Sequence, residues 1–184
     1  TNRALAAAGL LVPYHGGNID VYHCPSDFYL SAAQKAAGWK YRLRSVAMNS
    51  NWGRTDPMES KTGSPTSWAY GAGFRQWHRL AEVRKPAERY VFVDEHADSI
   101  NDGFFLVPFG GGGSGEYPAT SAGAQWGDIP GFYHNKSTPF GFADGHTEMK
   151  KWFSRPIPVR GTFISGPADI RDQRWYVQHV AERL

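Results

Sequence analysis

The stretch that decides the fold is residues 140–150, Phe-Gly-Phe-Ala-Asp-Gly-His-Thr-Glu-Met-Lys. An Asp-Gly pair between two strand-like runs is a strong signal for a β-hairpin, because a type I′ turn needs positive φ at both central residues. A two-residue turn at Asp144 and Gly145 pairs Phe142 with Thr147 and directs the phenylalanine side chains toward the core. The side chains on the opposite face should then point toward solvent or a neighbouring loop; they belong to His146, Glu148 and Lys150.

The composition predicts a single domain over residues 1–184, with many strands and turns and little helix. Aromatic residues make up 15% of the chain, which also contains 21 Gly and 12 Pro. A chain of this length can bury a substantial core. It contains no apolar run of about 18 residues, so it predicts no membrane span, and it shows no signal peptide. The net charge of +3 is not concentrated in a dense basic cluster, so we do not expect nucleic-acid binding.

Periodicity predicts the main elements. Residues 90–93 are continuously apolar and indicate a central buried strand that ends at Asp94. Residues 39–48 alternate as a half-buried strand does, and residues 76–85 place apolar side chains at helical spacing. A C-terminal helix is expected over about residues 169–184, where apolar positions recur at steps of three and four.

The hairpin region, residues 128–153, also contains the first group of candidate metal ligands, His134, Asp144 and His146. Imidazole and carboxylate groups together can bind a transition metal or form an acid–base pair. The structural alternative is that His134 bonds a backbone carbonyl or Asp144 and pins the preceding loop to the hairpin. Asp94, Glu95 and His96, together with Asp98, form another candidate group, because functional residues often lie where a strand ends. The structural alternative is a turn in which Asp94 or Asp98 bonds backbone amides.

The chain has one cysteine, Cys24. It can form no disulfide within this sequence, and a metal cage built of several cysteines is excluded. One interpretation is a small buried apolar residue. A nucleophile is hard to identify, since no Gly-x-Ser-x-Gly elbow occurs.

Tryptophans in loop-like segments are candidates for ligand contact. Indole rings can stack on sugars or anchor a protein partner, although most tryptophans belong to the core. The tryptophans of this kind are Trp52, Trp68, Trp77 and Trp126, and the ligand-contact candidates among them are Trp52, Trp68 and Trp126.

Several sequence blocks occur in the order found in a known family. His134, nine residues and Asp144-Gly145 resemble the C-terminal signature of prepilin-like proteins, which carry a processing-associated His-(nine residues)-Asp-Gly domain. The remaining matching blocks are Cys24-Pro25-Ser26-Asp27, residues 45–49, residues 86–95, residues 99–103 and residues 169–175. The chain is therefore similar to prepilin-like proteins, including major pseudopilins of type II secretion.

This resemblance implies an α+β fold, the globular head of a pilin, in which an antiparallel sheet with short helices packs on a long N-terminal helix that is missing from this chain. The residues carried over as structural motif positions are Cys24, Asp27, His134, Asp144 and Gly145. The implied location is extracytoplasmic: periplasm, cell surface or extracellular filament. The implied partners are other pilin-like subunits or the protein's own N-terminal helix, which alone contacts the membrane. Cys24 is implied to pair with a cysteine in that helix.

The resemblance also implies a calcium site, since related pseudopilins hold calcium with acidic and carbonyl ligands. Oxygen donors close together in this sequence are Glu95, Asp98, Asn101 and Asp102. An Asx-turn is the alternative explanation for this run.

The leading functional interpretation is a non-catalytic filament subunit or secretion-associated adaptor. The first alternative is a metal-dependent hydrolase that uses His134, Asp144, His146 and Asp94. The second is a carbohydrate-binding module that uses the loop tryptophans to bind a glycan or a cell-surface partner.

Overall fold

The computed structural model describes residues 3–30, 32–53, 66–67, 69–106, 126–154 and 166–184. Within these ranges the strands are β1 (Val46–Asn49), β2 (Thr66–Ser67), β3 (Gly71–Arg75), β4 (Tyr90–Asp94), β5 (Phe104–Phe105), β6 (Ser137–Phe142) and β7 (Thr147–Lys151). The described α-helices are α1 (Arg3–Ala7), α2 (Ala32–Ala36) and α3 (Gly166–Val180). None of them is long and apolar enough to cross a lipid bilayer.

A five-stranded sheet organises the fold, in the order β5-β1-β4-β6-β7. Neighbouring strands are antiparallel except β1 and β5, which are parallel. β4 occupies the centre, as its apolar sequence predicts, and Tyr90 and Val93 are buried. The fold is thus α+β, with a mostly antiparallel sheet and short helices.

The β6–β7 hairpin forms at the predicted place, but its loop has three residues and is not a two-residue type I′ turn. The amide of Phe142 donates to the carbonyl of His146 at 2.8 Å, and the amide of Gly145 donates to the carbonyl of Phe142 at 3.0 Å. Positive φ occurs at Gly145 (95°) and not at Asp144, as in a type I turn followed by a left-handed residue. The Asp144 carboxylate accepts a hydrogen bond from the His146 amide at 3.1 Å, which stabilises this loop.

The resulting shift of one residue in register corrects the predicted faces. Phe140 lies opposite Glu148, and cross-strand partners share a face. Lys150 is only 6% exposed and pairs with Asp172 of α3 at 2.9 Å, whereas Met149 is 49% exposed. The sequence predicts that Phe140 lies on one face and that His146, Glu148 and Lys150 lie on the other. In the structure all four side chains are on the same face.

Helix α3 covers this inner face of the sheet. Tyr176, Val177 and Val180 are buried and share one core with Phe105 and Phe140. Burying side chains of this size contributes about 1.5–3 kcal/mol each, so α3 supplies a large part of the stability. The sequence predicts this helix correctly.

The predicted extent of α3 is wrong at its C-terminal end. The helix ends at Val180 and not at Leu184, which is 48% exposed. The carbonyl of Val180 accepts hydrogen bonds from the side-chain amides of Asn49 and Asn51, both at 2.9 Å. These bonds satisfy a helix C-terminal carbonyl that has no partner within the helix.

The opposite, outer face of the sheet is partly open and mixed in polarity. The strand register places the polar residues Asp94, Ser137, Thr147 and Lys151 on it. Its apolar side chains are those of five residues, Val46, Met48, Phe92, Phe104 and Met149. Phe92 pairs with Met48 of β1 and with Gly141 of β6, and it is 39% exposed. We refer to these five residues as the outer face.

Two further local predictions are wrong. Residues 76–85 form no α-helix, and only Leu80–Glu82 makes a single 3-10 turn. The backbone near Trp77 is instead paired with a distant segment, since the Trp77 amide donates to the Asn51 carbonyl at 2.8 Å. Of the strand predicted over residues 39–48, only the part from Val46 onward is extended in the sheet.

Candidate functional site

Three segments that are far apart in sequence bring their donor atoms together at one end of β6. The thiol sulfur of Cys24 lies 3.2 Å from Nε2 of His134. Oδ2 of Asp94 lies 3.8 Å from the same nitrogen. All three donor atoms lie within 4.8 Å of one another, and no other group of three such residues does so in the part of the chain that the structure describes.

A tight turn over residues 24–27 holds Cys24. The Asp27 amide donates to the Cys24 carbonyl at 2.9 Å, and Pro25 occupies the second turn position, where its fixed φ is favourable. The Cys24 amide donates to Oγ of Ser45 at 3.2 Å, and that hydroxyl donates to Asp27 at 2.7 Å. The turn is therefore fastened to the segment that leads into β1.

A buried ion pair joins this turn to the loop that carries His134. Arg42 donates to the Asp27 carboxylate, and the two side chains are 4% and 0% exposed. The same guanidinium donates to the hydroxyl of Tyr133 at 3.0 Å. Removing one partner of a buried pair leaves an uncompensated charge, so this contact strongly constrains the arrangement of the three segments.

Asp94 ends the central strand β4 and is fixed through its backbone. Its carbonyl accepts a hydrogen bond from the Gly131 amide at 2.6 Å. A Cβ atom at Gly131 would lie 2.6 Å from Cε2 of Tyr133 and 3.3 Å from the Asp94 carbonyl carbon. The Tyr133 ring, together with the Asp94 backbone, therefore leaves no room for a side chain at this position.

His134 precedes a turn of the type that the sequence predicts for the β6–β7 loop. The Ser137 amide donates to the His134 carbonyl at 3.0 Å. Asn135 and Lys136 have φ of 50° and 62°, so both central residues are left-handed, as in a type I′ turn. The side chain of His134 is 34% exposed, which leaves one side of the cluster open to solvent.

Burial sets the protonation behaviour of the cluster. Desolvation raises the pKa of the Cys24 thiol to about 11. Desolvation likewise raises the pKa of Asp94 above its ordinary value. Oδ2 of Asp94 is buried and makes no hydrogen bond. Two acidic groups thus lie in a site whose environment disfavours their anionic forms unless a cation is present.

This geometry differs from that of a cysteine–histidine catalytic pair. In such a pair the carboxylate accepts a hydrogen bond from the ring nitrogen that does not face the nucleophile. Here the Cys24 sulfur and the Asp94 oxygen both face Nε2 of His134. A thiol whose pKa is about 11 is also protonated at neutral pH and is a poor nucleophile. Convergence of three donor atoms on one point is instead the arrangement of a metal site.

The structure does not bring together the predicted group of His134, Asp144 and His146. Asp144 and His146 contact each other at 2.6 Å, with side chains that are 35% and 43% exposed. They lie beyond the other end of β6, whose six residues span roughly 20 Å. The nine residues between His134 and Asp144 therefore place the two side chains at opposite ends of the strand, and His134 does not bond Asp144.

The acidic residues predicted to bind calcium also have separate partners. Oε1 of Glu95 accepts a hydrogen bond from Ser99 at 3.0 Å, and burial raises the pKa of Glu95 to about 8. Asp98 accepts a hydrogen bond from the hydroxyl of Tyr29 at 3.3 Å. Oδ1 of Asp102 accepts a hydrogen bond from the amide of the residue two positions later at 2.8 Å, which is the Asx-turn alternative.

The tryptophans predicted to contact a ligand have different positions. Trp126 is 2% exposed and packs edge-to-face on Trp152 in the core, so its ring offers no face to a sugar. Trp52 is half-buried, donates to the Tyr90 carbonyl at 3.0 Å and packs against Trp77. Trp68 lies outside the described residues.

Sequence reasoning missed Cys24 as a partner of His134 and Asp94. The available signal was the set of ordered family-like blocks, because Cys24, Asp94 and His134 each belong to a different one. Composition and spacing carry no such signal, since 110 residues separate Cys24 from His134.

Comparison with known proteins gave no match: no family model fits the chain, and neither a curated protein nor a solved structure matches it.

Proposed function

We propose that this chain is the globular head of a pilin-like or pseudopilin-like structural subunit, or of a secretion-associated adaptor, that acts outside the cytoplasm without catalysis. The observation that supports it best is the outer face of the sheet. Phe92 and Met149 on this face are 39% and 49% exposed, while α3 already covers the inner face. A sheet with apolar residues on both faces is most stable when a layer covers each of them.

The partner that fits this face is a long, predominantly apolar α-helix. It belongs either to the same polypeptide or to a neighbouring pilin-like subunit. Apolar side chains on a sheet that point toward such a helix lose their remaining contact with water, at about 25 cal/mol for each Å² removed. The ordered blocks that resemble prepilin-like proteins support the same assignment.

Replacing Phe92 by Glu in the full-length polypeptide tests the proposal. The charge should prevent assembly into material that pellets at high speed, because a carboxylate against an apolar helix is strongly disfavoured. Phe28→Glu is the matched control, since Phe28 is 87% exposed and lies outside the sheet. Assembly that survives Phe92→Glu, or that both changes abolish equally, would contradict the proposal.

The two alternatives receive less support from the geometry. A hydrolase that uses His134 together with Asp144 and His146 requires side chains that lie at opposite ends of β6. A glycan-binding surface that includes Trp126 requires a ring that is instead buried.

A further inference from the structure

We propose that Cys24, Asp94 and His134 form a zinc-binding site that joins three segments of the fold and keeps one coordination position open to solvent. A thiolate, an imidazole nitrogen and a carboxylate are all ordinary zinc ligands, and three protein ligands with a fourth open position form a known type of site. The proposal goes beyond the assignment of a pilin-like head, because it does not depend on the outer face.

The observed distances fit one ion among the three donors. Zinc bonds of about 2.3 Å to sulfur and about 2.05 Å to nitrogen, at a tetrahedral angle, place these two ligand atoms about 3.6 Å apart. The observed separation of Cys24 Sγ and His134 Nε2 is 3.2 Å. The same geometry requires about 3.4 Å between nitrogen and oxygen, and the observed separation of His134 Nε2 and Asp94 Oδ2 is 3.8 Å. The ligand atoms of the third pair, Cys24 and Asp94, lie within 4.8 Å of each other.

An unpaired buried oxygen points independently to a cation. Asp94 is 5% exposed, and its Oδ2 atom makes no hydrogen bond. Buried polar atoms without a partner are rare in folded proteins, and binding of an ion is one of their ordinary explanations. The same oxygen is the one that faces His134 Nε2.

Hydrogen bonds and a buried ion pair hold the surroundings of the ligands. Ser45 and Asp27 hold the Cys24 turn, and Arg42 connects Asp27 to Tyr133, the neighbour of His134. Groups that orient metal ligands in this way often change metal affinity by about 10–100-fold when they are removed. The site is therefore arranged for binding before the ion arrives.

The donor set selects for zinc and against calcium and magnesium. Hard cations take oxygen ligands, whereas this site offers one sulfur, one nitrogen and one carboxylate oxygen. Zinc tolerates this mixture and prefers four-coordinate geometry. Copper also binds such donors strongly, and it is a competitor that the experiment includes.

The test measures metal binding by the protein after dialysis against a chelator. When zinc is then added, we expect elemental analysis to find one zinc per chain. We also expect zinc to increase the midpoint temperature of thermal unfolding. Cobalt should give a thiolate-to-cobalt charge-transfer band, because a band of this kind requires a sulfur ligand. Zinc should also protect Cys24, the single cysteine of the chain, from alkylation.

Three substitutions localise the site: Cys24→Ser, Asp94→Asn and His134→Gln. Each should weaken zinc binding by at least about tenfold. His134→Gln is the variant expected to fold normally, because its side chain is 34% exposed. The matched control is the double change Asp144→Asn and His146→Gln, which removes the contacting pair at the other end of β6 and should leave affinity unchanged.

Several results would overturn the proposal. One is a wild-type protein that binds no zinc. Another is a loss of zinc binding in the double variant Asp144→Asn and His146→Gln that equals the loss in His134→Gln. A third is calcium binding as tight as zinc binding. Tighter binding of copper with the same three-ligand dependence would keep the site but replace zinc as its ion. Retention of the cobalt–sulfur band in Cys24→Ser would show that the ligand set is wrong.

Discussion

The two ends of strand β6 each carry a histidine and an aspartate in close contact or near contact, yet they differ in every property that matters for chemistry. At the first end, His134 approaches Asp94, which is 5% exposed, and Cys24 completes a convergent group. At the second end, Asp144 and His146 contact each other at 2.6 Å on the surface. A polar pair within one loop stabilises that loop, whereas donors from separate segments, held together by buried contacts, can form a site.

The largest effect that distinguishes the two ends is expected for Asp27→Asn. This change removes the buried partner of Arg42 and should lower the free energy of unfolding by about 3–5 kcal/mol, because Asp27 and Arg42 are 2% and 4% exposed. Urea denaturation measures the loss. Asp144→Asn, the matched change at the exposed end, should leave the denaturation midpoint nearly unchanged. Equal effects of the two changes would contradict the proposed difference in stability between the two ends of β6.

A smaller effect is expected for Gly131→Ala. The new methyl group would lie 2.6 Å from a Tyr133 ring carbon and 3.3 Å from the Asp94 backbone, so it should displace the loop and cost about 1–3 kcal/mol. Gly141→Ala in β6 is the control, because its Cβ would meet Phe92 at 4.0 Å, an ordinary contact. Thermal denaturation that ranks the two variants in the reverse order would contradict this account of the loop.

The two turns that flank β6 should respond in opposite directions to changes in glycine content. Gly145 has a φ of 95°, so Gly145→Ala should cost about 1–2 kcal/mol. Lys136 has a φ of 62°, which is strained for a residue with a side chain. Lys136→Gly removes that strain and should stabilise the protein by up to about 1 kcal/mol, because glycine also increases the entropy of the unfolded chain and so reduces the gain. Equilibrium denaturation of both variants measures the difference, and the same sign for both would show that backbone strain is not the cause.

The smallest effect concerns two histidines that flank Phe142. His146 stacks on Phe142 at the surface, whereas His179 of α3 is half-buried and stacks on Trp175. Burial lowers the pKa of His179, and the charge of Arg89 also lowers it. The hydrogen bond to the Trp175 carbonyl and the charges of Glu148 and Glu88 act in the opposite direction, but burial is the largest effect.

The folded protein therefore binds fewer protons at His179 than the unfolded chain does. The contribution of His179 to the free energy of unfolding is fully present above the unfolded pKa of about 6.5. It is lost as the pH falls below that value, because the unfolded chain takes up the proton first. Denaturation at several pH values between about 5 and 7 should show a shallower decline in His179→Asn than in the wild type. An equally steep decline in the variant would assign the dependence to other groups.

Much of the scaffold is predictable because it depends on neighbouring residues. Residues 90–93 are apolar enough to specify the central strand, and the spacing of apolar side chains specifies α3. The helix predicted over residues 76–85 does not form, because the Trp77 amide pairs with Asn51 and the Gln76 side chain donates to the Ser50 carbonyl at 3.2 Å. Long-range hydrogen bonds of this kind override a local periodicity.

The hairpin shows which features of a turn a sequence motif can predict. The Asp-Gly pair located the reversal between β6 and β7, but it did not specify the loop length, and a shift of one residue exchanged the two faces of β7. The side chain of Lys150, which pattern alone assigned to the solvent side, instead pairs with Asp172 beneath α3. Register depended on the packing of that helix.

The amino-acid sequence by itself determined the central strand, the hairpin position, the C-terminal helix and the identity of the blocks that contain Cys24, Asp94 and His134. Only the tertiary structure decided that these three residues meet, that Asp144 and His146 lie apart from them, and that Phe92 and Met149 on the outer face remain exposed. The physical reason is that local periodicity acts over a few residues, whereas burial and convergence arise from contacts between segments as far apart as the 110 residues between Cys24 and His134.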